Sequence, residues 1–344
     1  MDTVLITGGC GYIGSHTCVS FLENKLNVLV IDSLVNSHEN NFLKIKSIFH
    51  SKGLETSDRI QFIKGDIRNT SWLEKIFGDY KNANRPIKNV IHFAGLKSIY
   101  CSIKSPLEYW DANVSGTISL LSVMKKHDCF DLIFSSSATV YNPTGSKLLK
   151  ETDELKPSTP YGKTKLCIEE ILNDIFQGDQ NWRIANLRYF NPAGAHKSGS
   201  LGENSKGMSS NLFPAILRTL KCNQDKLMVF GKNWPTYDGT CIRDYIHVMD
   251  LAEAHIATLD YLKQNSPQNI SVNIGTGQGT SVLEVIKTFN QIKDIHFDYE
   301  FVDRRPGDQP FVVADNKLAL ELLDWCPRRS LIDMCKDSII NIQI

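Results

Sequence analysis

The sequence lacks the features that mark membrane proteins and nucleic-acid-binding proteins. Its 38 Lys and Arg residues balance 38 Asp and Glu residues, so no net charge attracts a polyanion. Its apolar runs are much shorter than a bilayer span, and no cationic, apolar leader precedes Thr3. We therefore expect no nucleic-acid partner, no membrane partner and no signal peptide.

The sequence also lacks the usual spacing of metal ligands and disulfides. Its nine cysteines are an odd number, are scattered along the chain and form no C-x-x-C pair. No histidines form an H-E-x-x-H pair, and we expect His92, His247 and His255 in the core or at helix edges. This pattern favours a cytoplasmic protein with reduced thiols and without a metal site.

What the sequence does contain is a short apolar run that leads into a glycine-rich turn. Val4 to Ile6 predicts a buried strand, and Gly8, Gly11 and Gly14 follow before a helical stretch. Glycines at this spacing allow a tight turn and let the backbone approach a pyrophosphate closely. The N-terminus of the following helix would then offer its unpaired N–H groups to the phosphates.

A second predicted strand, Asn27 to Ile31, ends in an acidic residue, Asp32. The carboxylate comes about 20 residues after the glycines, where it can accept hydrogen bonds from an adenine ribose. It would repel a 2′-phosphate, and neither Arg nor Lys follows immediately. Strand, glycines, helix, strand and acid in this order predict a site for NAD rather than NADP.

A second constellation combines Ser137 with Tyr161 and Lys165. Thr159 is a suitable N-cap and Pro160 suits the first helical position, so a helix is predicted to begin here. Tyr161 and Lys165 are four residues apart and share one face of that helix. A lysine and the positive helix end both favour phenolate, so the tyrosine is a candidate general base. Ser137 is a candidate to hold a substrate hydroxyl.

Strands and helices alternate along the first half of the chain, which predicts a Rossmann-type doubly wound parallel sheet. Further strands are predicted at Ile60–Lys64, Asn89–His92, Asp131–Ser135 and Arg183–Leu187, and helices at Trp72–Tyr80, Leu107–His127, Tyr161–Phe176, Asp250–Lys263 and Val282–Phe289. We predict an α/β fold with a cofactor domain over 1–190 and a smaller α/β substrate domain over 191–344, with chain crossovers between them.

Two connections are unusual in length or composition. The stretch A-G-A-H-K-S-G-S-L-G-E-N-S-K-G after Asn191 is rich in Gly and Ser, which predicts a lid or a crossover loop. Asn36 to Ser57 forms a long first crossover whose second half is predicted to be a surface insertion.

Several motifs together resemble one family. They are T-G-G-C-G-Y-I-G-S-H-T, G-D-I-R-N, H-F-A-G-L-K, S-S-S-A-T-V-Y, P-Y-G-K-T-K, L-R-Y-F-N-P-A-G-A-H, F-G-K-N-W-P-T-Y-D-G-T-C-I-R-D-Y-I-H-V-M-D-L and R-R-P-G-D. Over Thr3 to about Pro327 they resemble the UDP-glucose 4-epimerase family of the extended short-chain dehydrogenase/reductase superfamily. The resemblance implies interconversion of UDP-glucose and UDP-galactose with a bound NAD that is not consumed.

The resemblance also implies roles for individual residues. Tyr161 is similar to the family's general base, Lys165 to the lysine that bonds the nicotinamide ribose, and Ser137 to the hydroxyl that bridges substrate and tyrosine. Implied cofactor contacts, beside the glycines and these two residues, are Tyr12, Ile13, Asp32, Ser33, Leu34, Val35, Asn36, Ser37, Asp66, Ile67, Phe93, Ala94, Gly95, Leu96, Lys97, Asn113 and Phe190. Implied UDP-sugar contacts, beside Ser137 and Tyr161, are Asn191, Asn211, Leu212, Met228, Val229, Phe230, Arg243, Arg305, Asp308 and Val312.

At a few positions this sequence differs from the usual pattern of the family. Asn142 follows Tyr141 where the family usually has glycine, and the chain after Asp333 lacks an aromatic tail. Val312 stands where family members restricted to plain hexoses tend to carry tyrosine, so this resemblance implies extra activity on UDP-N-acetylhexosamines. The family also implies a homodimer through the helices Leu107–His127 and Tyr161–Phe176.

Three other functions remain open from the sequence. A nucleotide-sugar 4,6-dehydratase shares the scaffold but requires an acid pair, whereas Ala138 and Thr139 follow Ser137 here. A UDP-glucuronate decarboxylase shares the scaffold too, and a substrate assay separates it. A non-catalytic NAD-binding sensor usually lacks the tyrosine or the lysine, and both are present.

Overall fold

The first half of the chain forms alternating strands and helices, as its sequence predicts. A computed structural model describes residues 2–54, 56, 58–143, 145, 147–204, 206, 211–222, 226–293, 295–305 and 307–340. Its first elements are β1 (Thr3–Thr7), α1 (Tyr12–Glu23), β2 (Asn27–Asp32), α2 (Asn40–His50), β3 (Ile60–Lys64), α3 (Thr70–Asn82), β4 (Ile87–His92), α4 (Ile99–Lys104), α5 (Pro106–Tyr109), α6 (Gly116–Lys126), β5 (Asp131–Ser137), α7 (Pro160–Gly178) and β6 (Arg183–Tyr189).

The later elements are shorter and build two small sheets. They are β7 (Asn191–Ala193), α8 (Leu212–Cys222), β8 (Leu227–Phe230), β9 (Ile242–His247), α9 (Val248–Gln264), β10 (Gln268–Ile274), β11 (Gly279–Ser281), α10 (Val282–Asn290), β12 (Tyr299–Val302), β13 (Phe311–Val312), α11 (Lys317–Leu323) and α12 (Leu331–Ile339). Strand β9 pairs with β7, β11 and β13, and β8 pairs with β12.

The main sheet has seven strands in the order β3-β2-β1-β4-β5-β6-β10, and every pair is parallel. This order reverses between β1 and β4, which is the switch point of a doubly wound sheet. The predicted fold class is therefore confirmed. Two apolar cores cover its two faces: one packs Phe21, Phe49 and Leu259 in the layer of α1, α2 and α9, and the other packs Phe77 and Trp182.

The chain returns to the main sheet after residue 190. Strand β10 extends the sheet beside β6, and α9 lies in the same core layer as α1. A third core, which includes Phe213 and Phe289, supports the small sheets. Chain crossovers between the two domains were expected from the sequence. The domain boundary near residue 190 stays a prediction.

The helix predicted over Leu107–His127 is wrong as one continuous element. Helices α5 and α6 are separated by a π-helical turn, Trp110–Ser115. A π-helical turn shifts the direction of the side chains, and it carries the buried Asn113. Among the described residues, no helix is long and apolar enough to cross a membrane.

Candidate active site

The candidate cofactor residues gather where β1 and β4 end, at the switch point of the main sheet. Gly8 has φ +71°, and a Cβ atom there would lie 2.7 Å from the backbone nitrogen of Ala94. The glycine turn and the segment after β4 are therefore in direct contact, and a larger residue than glycine would separate them. Gly8 and Ala94, which are 86 positions apart in sequence, thus line one edge of the sheet.

The turn around Gly11 fits a dinucleotide phosphate. Helix α1 begins after Gly11, which supplies no side-chain cap, so the first-turn N–H groups have no side-chain acceptor there. A Cβ atom at Gly14 would lie 2.5 Å from the Gly8 oxygen, so helix and turn pack too closely for any side chain. The side chain of Ile13 packs against the first core, and Tyr12 donates a hydrogen bond to the Gly194 oxygen at 2.6 Å.

Asp32 lies at the end of β2, as predicted, with its carboxylate facing the glycine turn. It accepts hydrogen bonds from Cys10 N at 2.9 Å, Leu34 N at 2.8 Å and Ser37 Oγ at 2.8 Å. The side chain is only 6 % exposed, so these donors compensate its buried charge. A carboxylate held in place at this strand end suits an adenine ribose better than a 2′-phosphate.

The loop after β2 and the residues after β3 contain further candidate cofactor residues, and these differ in exposure. Ser33 and Leu34 are partly buried, whereas Val35 is exposed, and Asn36 donates a hydrogen bond to the Gly95 oxygen at 3.3 Å. Arg68 Nη2 pairs with Asp66 at 2.6 Å, and hydrogen bonds from Arg68 lower the pKa of this carboxyl group, whose side chain is 36% exposed. Ile67 is buried in the second core.

Asn113 forms hydrogen bonds with the segment from Phe93 to Lys97. These bonds explain why a polar side chain is buried at this position. The Asn113 amide oxygen accepts from Leu96 N at 2.7 Å, and its nitrogen donates to the Leu96 oxygen at 3.1 Å. The same nitrogen donates to Thr164 Oγ1 on α7 at 3.1 Å. The π-helical turn therefore connects the candidate cofactor loop to the helix that carries Tyr161 and Lys165.

Helix α7 begins as its sequence predicts. Thr159 is the N-cap and accepts a hydrogen bond from Gly162 N at 3.2 Å, and Pro160 is the first helical residue. Tyr161 is thereby placed in the first turn, and Lys165 lies one turn further on with its Nζ atom 5.8 Å from the Tyr161 ring centroid. Ser137, the last residue of β5, faces this turn and hydrogen-bonds Tyr161.

The pKa values of Tyr161 and Lys165 differ from the expectation that Lys165 lowers the pKa of Tyr161. Burial raises the pKa of Tyr161 to about 12, although the hydrogen bond with Ser137 opposes it. Burial lowers the pKa of Lys165 to about 8, and the charge of Glu169 opposes that shift. Lys165 Nζ donates to the Ser135 oxygen at 2.6 Å. The lysine is thus fixed against β5, and its charge is sensitive to its surroundings.

The candidate sugar-nucleotide residues form a second group around β8 and β9. Arg305 lies over the Phe230 ring with its guanidinium carbon 3.7 Å from the centroid, so one face of this ring is already covered. Arg243 donates to the Gln309 oxygen at 2.7 Å and lies 3.7 Å from an Asp308 carboxylate oxygen. Two guanidinium groups and an aromatic ring therefore occur together, a combination that suits a nucleoside diphosphate.

Other members of the predicted set contribute in different ways. Val229 is 1 % exposed within the third core, so its side chain is unavailable to a ligand and only its backbone remains, whereas Met228 is exposed. Phe190 packs in a small cluster together with Ala138 and Val312. The remaining positions lie at element ends: Asn191 begins β7, Asn211 precedes α8 and Leu212 begins it.

The Gly/Ser-rich crossover lies against three segments of the candidate cofactor site. Besides the Tyr12 contact with Gly194, Lys97 pairs with Glu203 at 3.2 Å, and Lys206 donates to the Leu34 oxygen at 2.6 Å. This position fits the predicted lid. Ser205 and Gly207, which belong to the same predicted loop, lie outside the described residues.

Sequence reasoning missed one support of the glycine turn. Asn41, on α2 in the long first crossover, donates to the Cys10 oxygen at 2.8 Å and is buried. The first half of this crossover therefore supports the glycine turn, whereas the surface insertion was predicted for its second half, in which Glu55 and Ser57 lie outside the described residues. A polar residue among the apolar positions of an amphipathic helix was the available signal.

The three histidines His92, His247 and His255 are buried, as their sequence pattern predicts, whereas the cysteines differ in exposure and Cys101 and Cys326 are exposed. His92 bonds Thr7 at 2.7 Å, His255 bonds Tyr189 at 2.6 Å, and His247 caps α9. The cysteines for which a state is described are unpaired. Within the described part of the chain, no three His, Cys, Asp or Glu side chains are placed to hold a metal ion.

Comparison with known proteins identifies similar sequences and folds. A family model described as GDP-mannose 4,6 dehydratase matches residues 5–338. A UDP-glucose 4-epimerase of Cyamopsis tetragonoloba is 43% identical over 98% of this chain and 93% of its own length. A UDP-glucose-4-epimerase from Stenotrophomonas maltophila, solved with bound NAD and formylated UDP-arabinopyranose, superposes with a TM-score of 0.91 at 41% identity, covering 98% of this chain and 97% of that one. The enzyme from Bifidobacterium longum, solved with NAD+ and UDP, gives 0.90 at 38% identity over 99% and 98%.

Proposed function

The chain belongs to the UDP-glucose 4-epimerase family, and from this premise we propose that it interconverts UDP-glucose and UDP-galactose with a bound NAD. The reaction is a reversible oxidation at carbon 4 of the hexose through a 4-keto sugar. NAD supplies the hydride acceptor and, in its oxidised form, a positive charge. The observation that carries the proposal is the placement of Ser137, Tyr161 and Lys165 at the same sheet edge as the glycine turn.

Tyr161 is the base that takes the proton of the 4-hydroxyl and later returns it. Its pKa of about 12 must fall toward neutrality, which requires roughly 7 kcal/mol of preference for phenolate. The Lys165 cation and the N-terminus of α7 both act in that direction. Ser137 holds the hydroxyl between donor and acceptor, since its Oγ atom also accepts from Thr139 Oγ1 at 3.0 Å.

The nucleotide half of the substrate is anchored by the second group of residues. Arg243 and Arg305 bind the diphosphate, and Asn191 and Asp308 complete this side of the site. The hexose is bound weakly, so that the keto sugar can turn its other face while the nucleotide stays in place. The crossover that contains Glu203 excludes water and retains the keto sugar.

The test uses purified protein, UDP-galactose and no added cofactor. We expect UDP-glucose to appear, because a cofactor that is restored within each turnover need not leave, and NAD should be found in the supernatant after heat denaturation. Mass analysis of the product separates the alternatives: a 4,6-dehydratase removes water, and a decarboxylase acting on UDP-glucuronate releases carbon dioxide. The proposal would be rejected if neither UDP-galactose nor UDP-glucose gave its 4-epimer, which has the same mass as the substrate.

The matched family model carries the name of a 4,6-dehydratase, and the site argues against that reaction. Elimination of water requires an acid pair beside the bridging hydroxyl, yet Ala138 and Thr139 follow Ser137 in a short 3₁₀ turn. Neither side chain is acidic. The proposal of epimerisation is therefore the better match to these residues.

A second activity, on UDP-N-acetylhexosamines, is favoured by one position. Val312 is partly buried, pairs with Arg243 across β13 and β9, and packs in the cluster of Ala138 and Phe190. A small side chain beside the residue that follows Ser137 leaves room near the hexose. Val312→Tyr should abolish activity on the N-acetylated pair and retain it on the plain hexoses; wild-type protein inactive on the N-acetylated pair would refute this.

We further propose a cytoplasmic homodimer that forms through α5, α6 and α7, with α4 beside them. Helices α4, α5 and α6 and the π-helical turn carry exposed apolar side chains, Leu107 at 82%, and also Ile99, Tyr100, Ile103, Trp110 and Ile118. Exposed apolar side chains on helices that contact one another favour a second copy of the chain. Leu107→Asp should give monomers in sedimentation, whereas Leu43→Asp, at an exposed site on α2, should not. Unpaired cysteines are consistent with a reducing compartment.

A further inference from the structure

A buried ion pair lies directly behind the end of β5. Glu169 and Arg188 have side chains only 6% and 4% exposed, and Arg188 Nη2 lies 2.7 Å from Glu169 Oε2. Arg188 Nε also donates to both carboxylate oxygens, at 3.1 and 3.3 Å. The arrangement is a bidentate charge-assisted pair, and it is part of neither the candidate cofactor set nor the candidate sugar set.

Successive turns of helix α7 form hydrogen bonds with the last three residues of β5. Lys165 donates to the Ser135 oxygen, Glu169 accepts from Ser136 Oγ, and Tyr161 bonds Ser137. Positions 161, 165 and 169 are each four residues apart and so share one face of the helix. The ion pair is thus the third contact of the same helix face that carries the candidate base and lysine.

Arg188 connects this pair to a wider polar network. It donates to Tyr141 Oη at 2.8 Å and to the Glu151 oxygen at 3.0 Å, and Tyr141 donates to Asn273 Oδ1 at 2.7 Å. Burial alone would lower the pKa of Arg188, but Glu169 and Tyr141 outweigh it and the net shift is upward. Arg188 therefore stays charged in the interior.

We propose that Glu169 and Arg188 are positioning residues, which fix β5 against α7 and set the electrostatic balance around Tyr161 and Lys165. Glu169 favours the charged form of Lys165. Arg188 offsets the effect of the Glu169 charge on Tyr161. This inference rests on the proposed function and deepens it. Neither residue touches the substrate.

Other titratable groups near Tyr161 and Lys165 lie on β4, β6 and α5. His92 on β4 is neutral because burial lowers its pKa to about 3, and Tyr189 on β6 is neutral because burial raises its pKa. Tyr109 on α5 is also neutral, since burial raises its pKa to about 12. Among these described groups, the Glu169–Arg188 pair holds the charges that can be removed without altering Tyr161 or Lys165.

The test compares pH–rate profiles of UDP-galactose epimerisation for wild type, Glu169→Gln, Arg188→Met and the double variant. Glutamine keeps the shape and the contact with Ser136 but removes the negative charge, so both limbs of the profile should move to lower pH by about one unit. Arg188→Met should move both limbs to higher pH. The double variant removes both charges and should return the profile close to that of wild type.

A second readout does not depend on turnover. The ionisation of Tyr161 is followed by ultraviolet absorbance, as the difference between each variant and the same variant with Tyr161→Phe. It should begin at lower pH in Glu169→Gln. If that variant does not fold, the opposite shift in Arg188→Met tests the same idea, because a merely structural pair would lower the rate without moving the profile.

The outcomes separate the two proposals. Wild-type protein that does not epimerise refutes the proposed function, whereas the tyrosine titration still tests the role of the pair. An active wild type whose single variants lose rate with unmoved limbs refutes the positioning role alone. A double variant shifted as far as Glu169→Gln would also refute it, because the charges would then not compensate each other.

Discussion

Replacement of Asn113 by alanine isolates the support of the candidate cofactor loop. The side chain is 1% exposed and makes hydrogen bonds to Leu96 N at 2.7 Å, to the Leu96 oxygen at 3.1 Å and to Thr164 Oγ1 at 3.1 Å. Alanine removes all three bonds and leaves a small cavity. The segment Phe93–Lys97 then loses its attachment to the π-helical turn.

The magnitude follows from the groups left without partners. A buried donor or acceptor that loses its hydrogen bond costs about 1–3 kcal/mol. Leu96 is only partly buried, so water can replace some of the loss, and we expect a decrease of about 2–3 kcal/mol in the free energy of unfolding. If ordering the loop becomes part of NAD binding, the same cost weakens NAD affinity by roughly 30- to 150-fold.

The assay combines thermal unfolding with the NAD content of the purified protein. Asn113→Ala should unfold several degrees lower and should release NAD on gel filtration that wild type retains. Thr164→Val removes the contact with α7 but keeps both bonds to Leu96, so it should lose stability while retaining NAD. Ser115→Ala, at an exposed position of the same turn, is the matched control.

Two results would contradict this reasoning. If Asn113→Ala retains NAD as firmly as wild type, the loop is ordered without the asparagine. If Thr164→Val releases as much NAD as Asn113→Ala, the effect comes from α7 rather than from the loop.

Three further predictions concern the base, the ribose carboxylate and the buried histidines. Tyr161→Phe keeps the ring and deletes the proposed base, so kcat should fall by about 10²–10⁴ with NAD content unchanged; near-normal turnover would remove Tyr161 from its role. Asp32→Ser should weaken NAD binding and reduce the preference for NAD over NADP in cofactor-stripped protein, since the repulsion of a 2′-phosphate is gone; an unchanged preference would mean that Asp32 does not contact the ribose. Burial lowers the pKa of His16 and His255 to about 4 and of His92 and His247 to about 3, below the ordinary value of the unfolded chain. Stability from these groups is therefore complete above pH 6.5 and is lost as pH falls, by about 1.4 kcal/mol per histidine per pH unit, so urea midpoints should drop between pH 6.5 and 5.5. A flat midpoint over that range would count against neutral buried histidines.

Local patterns predicted those parts of the fold that depend on neighbouring residues. The start of α7 follows from Thr159 and Pro160, and the uncapped start of α1 follows from Gly11. The parallel sheet follows from the alternation of strands and helices, because a βαβ unit permits little else. The position of Asp32 at the end of β2 was likewise local.

Contacts between distant segments were the part that local patterns could not supply. The continuous helix expected over Leu107–His127 is interrupted because the π-helical turn brings Asn113 to Leu96, and no helical propensity encodes that partner. The third core buries Val229, which strand alternation alone could not orient. Lys165 and the positive end of the helix were expected to lower the pKa of Tyr161, but burial has the larger effect in the structure.

The sequence by itself determined the type of cofactor turn, the position of the candidate base and lysine on one helix face, and the family to which the chain belongs. These depend on residue identity and on spacings of a few positions, which the chain geometry fixes. The tertiary structure decided which charges surround that base: Arg188, far along the chain from Tyr161's turn, is brought behind β5 to pair with Glu169. Electrostatic effects depend on distance and burial in space, and those quantities exist only once the sheet and its helices have packed.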